Sequence, residues 1–398
     1  MNETRLSRSQ ASVTIWLAGA LIWLSASAFL ILRATIPWDG AWVSLIAPRP
    51  GQVTVVQTTP GSALREGDVV VAVAGRPIGE ALRAAMAAPL RVFRLAQPAE
   101  CVVYQIEREG WSREITVLLQ PGRLTLPLRR WGILLFGLVF QLVGAFLLLR
   151  RPRDPAVRAI FLTAACLLSY SILRAAELQV SEILSGPSWW LYLLVGVGVN
   201  IGWQVGLVWL ALTFPRPHPW LRARRRRTLA LVAPSVGGTA LMMSLAFRST
   251  SDPLRGLAAL PALLLLMQAA LFGLAAICFV TNYRTLDAED RQRAGWVVLA
   301  FAATLVMGLA LSTIPDVLMQ ITRRSNLAPA EVALRNNLIW VAALIIPFAF
   351  AVAILRHRLF DIDFVINRAL VWGALTALTM GLYVLIVGAL SALLRTSN

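Results

Sequence analysis

The sequence predicts a polytopic α-helical membrane protein of about nine spans, with one small α+β domain inserted after the first span. Three observations carry this expectation. Of 398 residues, 58% are hydrophobic and 14% charged, and mean hydropathy is +0.70. A soluble domain is about half apolar and about a quarter charged, so the surplus belongs in lipid. Uncharged runs long enough to cross a bilayer recur along the chain, and the links between them alternate between arginine-rich and arginine-poor.

Charge narrows the function classes. Net charge is +17, from 37 basic and 20 acidic residues, and no residue is lysine. The arginines bunch beside apolar runs, as topology determinants and anionic-lipid contacts do. No basic module interleaved with aromatics is present, so no nucleic-acid partner is expected. Cys101, Cys166 and Cys278 lack metal or redox spacing. Neither a metal nor any other cofactor is called for.

Residues 1–12 carry Arg5 and Arg8 and precede the apolar run 13–33. Basic flanks stay inside, so the N-terminus is expected in the cytoplasm and 13–33 as an uncleaved anchor. Residues 38–122 change character. Val53–Val56, Asp68–Val73, Val102–Ile106 and Arg113–Leu118 read as strands, and Glu80–Ala88 as a short helix. They make one compact α+β domain.

Eight further spans are expected in 131–394: Trp131–Leu149, Ala156–Leu173, Trp189–Phe214, Leu229–Phe247, Leu257–Tyr283, Gly295–Ile314, Leu338–Leu355 and Ala369–Leu394. Arg150, Arg151, Arg153 and Arg158 follow the second span of the chain, and Arg216, Arg222 and Arg224–Arg227 the fourth. Arg284, Arg291 and Arg293 follow the sixth, and Arg356, Arg358 and Arg368 the eighth. The intervening links carry fewer. This alternation places the 38–122 domain outside the cytoplasm, on a multi-pass protein of a bacterial plasma membrane. Trp131, Trp189, Trp190, Trp220, Trp296 and Trp372 fall near the expected interfaces.

The segment Thr59–Ile78 holds a Pro-Gly-Ser turn, then Gly67-Asp68 before the strand Val69-Val70-Val71-Ala72-Val73, then Gly75 in a turn. Gly61 and Gly67 suit turns and left-handed caps, Asp68 can accept from nearby amides, and Gly75 can reverse the chain. This segment resembles the core of a bacterial PDZ domain. The resemblance implies binding of an extended peptide or protein terminus by strand addition. It puts the peptide-binding stretch at Gly51, Gln52, Val53, Thr54 and Val55.

A second signature, Ile354–Thr376, contains Arg358-Leu359-Phe360-Asp361-Ile362-Asp363 and Asn367-Arg368. It is similar to the juxtamembrane hairpin of multi-span bacterial sensor histidine kinases, those of competence quorum sensing among them. Arg358, Phe360, Asp361, Asp363, Asn367 and Arg368 would then form a signalling hairpin within 356–368. By composition it is amphipathic and suits an interface. The sequence stops at Asn398, before any phosphoacceptor helix or ATP-binding module. The resemblance therefore implies the input half of such a kinase, sensing an extracytoplasmic peptide or lipid-like signal and working with a separate kinase or as a homodimer. The alternative class is a non-catalytic PDZ scaffold or transporter-like protein.

No catalytic set emerges. His218 and His357 are the only histidines and lack metal spacing. Phosphate-loop, His-Glu-x-x-His and Gly-x-Ser-x-Gly motifs are absent. Polar residues inside spans are the best pointers to a ligand cavity. Asn200 and Gln204 share a helical face beside Trp203, while Arg174 and Glu177, with Glu182, sit at the outward end of the third span and can pair there.

Overall fold

A computed structural model describes residues 3–45, 52–87, 100–122, 130–214, 253–288, 291, 294–295, 297–300 and 329–355. The expected spans at 229–247 and 369–394, most of 295–314, Gly51 and the whole 356–368 hairpin lie outside these residues. Five described helices are long and apolar enough to cross a membrane: 13–35, 131–150, 155–176, 186–213 and 266–284. A shorter apolar helix covers 337–352.

A small antiparallel sheet with one helix forms within 38–122. Its strands are β1 (Ala41–Ser44), β2 (Val53–Thr58), β3 (Val69–Val73), β4 (Arg76–Pro77), β5 (Cys101–Arg108) and β6 (Trp111–Leu118), with helix α2 (Ile78–Ala87) after β4. The antiparallel sheet runs β1-β2-β3-β5-β6, and β4 pairs with β3. Ala74 and Gly75 both take positive φ, 51° and 75°, which makes the tight β3–β4 turn. Asp68 is buried. One carboxylate oxygen accepts from Arg65 N at 2.7 Å, and the two oxygens together take a forked pair of bonds from Arg108, both 2.7 Å. The fork holds the start of β3 against the end of β5. The carboxylate also keeps the Arg108 guanidinium proton bound even more firmly than usual. Trp38 and Gln120 exchange two backbone hydrogen bonds, of 2.9 and 2.8 Å, and so tie the entry and exit of the domain together.

The long helices are α1 (Glu3–Thr35), α3 (Trp131–Arg150), α4 (Pro155–Ala176), α6 (Gly186–Thr213) and α7 (Pro253–Arg284). Three shorter ones are α5 (Val180–Leu184), α8 (Pro329–Ala343) and α9 (Ile345–Leu355). The expected single span 338–355 is thus broken at Leu344. Pro347 explains the break: it lacks the N–H that would bond back to Ala343.

Helix α4 is the hub of the bundle. Asp154 caps it, accepting from Ala156 N at 2.9 Å with Pro155 at its first position. Apart from Arg158 and Arg174 its length is uncharged, and it packs through small residues, as lipid-embedded helices do. A Cβ at Gly202 of α6 would lie 2.6 Å from Cys166 Sγ, and one at Gly144 of α3 would lie 3.2 Å from Phe161 Cα. On α1, Val13, Leu17, Leu21, Leu24 and Ile31 form an exposed stripe, while Trp16 and Trp23 turn to Phe161 with ring centroids at 4.7 and 6.0 Å. The stripe suits lipid. Gly206 sits against Thr163 of α4 in the same way. Gly206→Ala should destabilise the folded chain by about 1–3 kcal/mol through overpacking. Gly198→Ala, where the added carbon meets nothing within 4 Å, should not. Thermal midpoints in one detergent compare them, and equal midpoints would refute this packing.

Candidate functional site

The domain and the helices share one core. Val43, Ile78 and Leu82 of the domain are buried in the same cluster as Phe29, Leu173, Leu178, Val180, Ile183, Leu184 and Trp189. At this seam the chain between α4 and α6 reaches the sheet: Val43 N donates to Leu178 O at 2.7 Å, an isolated antiparallel bridge on the outer edge of β1. Ser181 Oγ donates to Pro37 O at 2.9 Å, and Trp190 Nε1 to Met86 O at 3.2 Å. Trp189 is buried and Trp190 is bonded to the domain.

A buried ion pair locks the seam. Arg33, at the end of α1, and Glu182, in α5, are both fully buried. Arg33 Nε donates to Glu182 Oε1 at 2.6 Å and Nη2 to Oε2 at 2.8 Å. Nη1 donates to Ala176 O at 2.6 Å, and Nη2 also to Glu177 O. Glu182 Oε2 accepts a further bond from Gln179 N at 2.9 Å. One guanidinium therefore closes the C-terminus of α4, where backbone carbonyls lack helical partners, onto α5. Glu177 itself adopts positive φ, 49°, which turns the chain out of α4 toward β1.

Other charges stand close by. Arg130 Nε lies 3.0 Å from Glu177 Oε1, an ion pair by distance without hydrogen-bond alignment, since both Glu177 oxygens are buried and make no hydrogen bond. Asp39 is buried where α1 hands over to β1. It accepts from Ala41 N at 3.2 Å and from the Tyr104 hydroxyl at 3.3 Å. Burial pushes its carboxyl up from 3.8 to about 6, the two hydrogen bonds pull it part of the way back, and the Glu182 charge adds a smaller upward push. Burial and the neighbouring Asp39 charge raise the Tyr104 phenol well above its ordinary value.

The expected cavity residues fall into two groups. Glu182 pairs with Arg33 and Glu177 with Arg130. Asn200, Trp203 and Gln204 bond to each other along α6: Asn200 Oδ1 accepts from Trp203 Nε1 at 3.0 Å and from Gln204 Nε2 at 3.2 Å. The two groups meet through Tyr170 of α4, four residues before Arg174, whose ring centroid lies 6.2 Å from that of Trp203.

Of the expected peptide stretch, Val53, Thr54 and Val55 belong to β2, which pairs with β1 on one side and β3 on the other. Gln52 precedes that strand. The edges are β1, which Leu178 already meets, and β6, which pairs only with β5 among the described strands. Gly61, Gly67 and Gly75 do take positive φ, of 86°, 90° and 75°.

Arg33 and Arg130 were missed from sequence. Each reads as a charge flanking a span, the ordinary place for a topology signal. The available clue was Glu177 and Glu182 among apolar neighbours, since acids next to lipid need partners. The chain matches no known protein family, no curated protein and no solved structure. Among the described residues no cluster of His, Cys, Asp and Glu could hold a metal ion.

Proposed function

We propose that the chain is a membrane-embedded signal-sensing module, the input half of a two-component sensor kinase, which detects an extracytoplasmic peptide or lipid-like signal. The observation that carries this reading is the seam. The domain is not hung on a loose tether; the Arg33–Glu182 pair, the Val43–Leu178 bridge and the Trp190–Met86 bond fasten it to α1, α5 and α6. A ligand that shifts the domain must shift helix ends, which is the differential contact a two-state switch needs.

Helices α1, α3, α4 and α6 alternate in direction, with Arg33, Arg130 and Arg174 at the domain end, and α7 runs parallel to α6, its Asn282 donating to Phe214 O at 2.9 Å. Arg150, Arg151, Arg153, Arg158 and Arg284 lie at the other end, which under the positive-inside rule is cytoplasmic. The PDZ resemblance supports peptide capture, for which β6 is the available edge. The half-buried charges at the seam favour the lipid-like signal. The 356–368 hairpin would carry the shift to a separate kinase or a second copy.

The test compares transcript profiles of cells carrying the wild type, a 38–122 deletion and a null allele. The deletion should match the null. A deletion strain that behaves as wild type would sink the sensing role of the domain.

A further inference from the structure

At the domain-side end of α3 and α4, two guanidinium groups share one carboxylate. Arg33 is matched by Glu182 and Arg130 by Glu177. Arg174 has no acid of its own: among the described residues its guanidinium makes no ion pair or hydrogen bond, and only its backbone oxygen is engaged, by Arg130 Nη1 at 3.4 Å. Tyr170 lies on the same face of α4, and Tyr192 stands on α6. Both hydroxyls lie within electrostatic range of Arg174, and that of Tyr192 also of Glu177, without a hydrogen bond to a described residue, and the side chains of Arg174, Tyr170 and Tyr192 are half-buried.

Arg174 is thus a cation with no acid at ion-pair distance among the described residues. A cation withdrawn from water beside lipid is costly unless an anion answers it. The free polar atoms are mostly donors: a guanidinium fork and two phenols. That set suits an oxyanion, and arginine's fork matches phosphate or carboxylate oxygens. Beyond the donors the surface becomes aromatic. Tyr170 leads to Trp203, whose ring centroid is 5.6 Å from that of Phe272 on α7, itself partly exposed.

We propose that Arg174, with Arg130, Tyr170 and Tyr192, binds the anionic phosphate or carboxylate head of an amphiphile whose apolar tail runs along Tyr170, Trp203 and Phe272. This goes beyond the sensing role by naming a ligand class at the same seam, and it rests on that role only for what occupancy would mean. The test reads binding and needs no signalling output, so the two can fail separately.

The full chain is placed in phosphatidylcholine nanodiscs, and phosphatidylglycerol is titrated in while the thermal midpoint is followed. A saturable rise is expected. Arg174→Gln should weaken the apparent affinity at least about tenfold, the worth of one charge-assisted contact. Tyr192→Phe, nearly isosteric and so safe for folding, should weaken it less. Arg150→Gln, at the far end of α3, should leave it unchanged. Inorganic phosphate in plain phosphatidylcholine discs separates a soluble anion from a lipid head; an equal rise with phosphate alone would overturn the tail contact. Affinity unchanged in both seam variants, or lowered equally by Arg150→Gln, would overturn the site.

Discussion

Arg33→Met is expected to lower the stability of the folded chain by about 3–5 kcal/mol, because it leaves Glu182 charged, buried and without its partner. Glu182→Gln should cost a similar amount for the mirror reason. The charge attraction alone is not the source of that loss. Taking both ions out of water costs nearly as much as their pairing returns, so the pair contributes little net stability against a well-packed apolar replacement. The decisive comparison is therefore the double variant Arg33→Met with Glu182→Leu. It should recover most of the deficit, though not all, since Ala176 O and Glu177 O still lose the hydrogen bonds from Arg33. Chemical unfolding in one fixed detergent, followed by tryptophan fluorescence, gives all four values of the cycle. Single variants within about 0.5 kcal/mol of wild type, the range of an uninvolved surface change, would mean that the pair does not exist in the protein. The double variant also separates stability from coupling. If it is stable yet α1 no longer moves with α5, the pair is kept for register between the elements.

How far the sequence foretold this arrangement depended on the range of the interaction. The strands β2, β3, β5 and β6 and the helix α2 were legible because each carries its own local pattern, β-branched runs between turn glycines or a short helix former after Arg76-Pro77. β1 was not, because Ala41-Trp42-Val43-Ser44 is four residues long and is recognisable only by the partner it finds in β2. The helices at 131–150, 155–176 and 186–213 follow from length and hydropathy. The break at Leu344 was written in Pro347 but hidden by the apolar run around it. At the seam, Glu177 and Glu182 could be named as unusual, but not what answers them. Glu182 lies 149 positions from Arg33, and no local pattern encodes so distant a pairing. Asn200, Trp203 and Gln204 are a more local case. Spacing put them on one face, and there Trp203 and Gln204 both donate to Asn200 Oδ1, while Gln204 Oε1 stays buried without a hydrogen bond.

The pH dependence of stability should report the junction between anchor and domain, through Asp39. In the unfolded chain its carboxyl releases its proton near 3.8; in the folded chain burial holds that proton to about 6. Between these values the folded state binds more protons than the unfolded one, so stability falls as pH rises through the window. Above it the deficit is fully present, and the difference of roughly two units corresponds to about 3 kcal/mol. Asp39→Asn keeps the shape and an oxygen to accept from Ala41 N, and it never has to carry charge. The variant should therefore be more stable than wild type at pH 8 and closely similar at pH 4, with its own stability flat across the window. Tyr104→Phe should steepen the wild-type slope, because the phenol is one of the few groups that stabilise the ionised carboxylate. Unfolding midpoints of the three proteins at pH 4, 6 and 8 decide the matter. A wild-type curve that rises over this range in parallel with Asp39→Asn would mean that the carboxylate is hydrated, and that the handover from α1 to β1 is open to water.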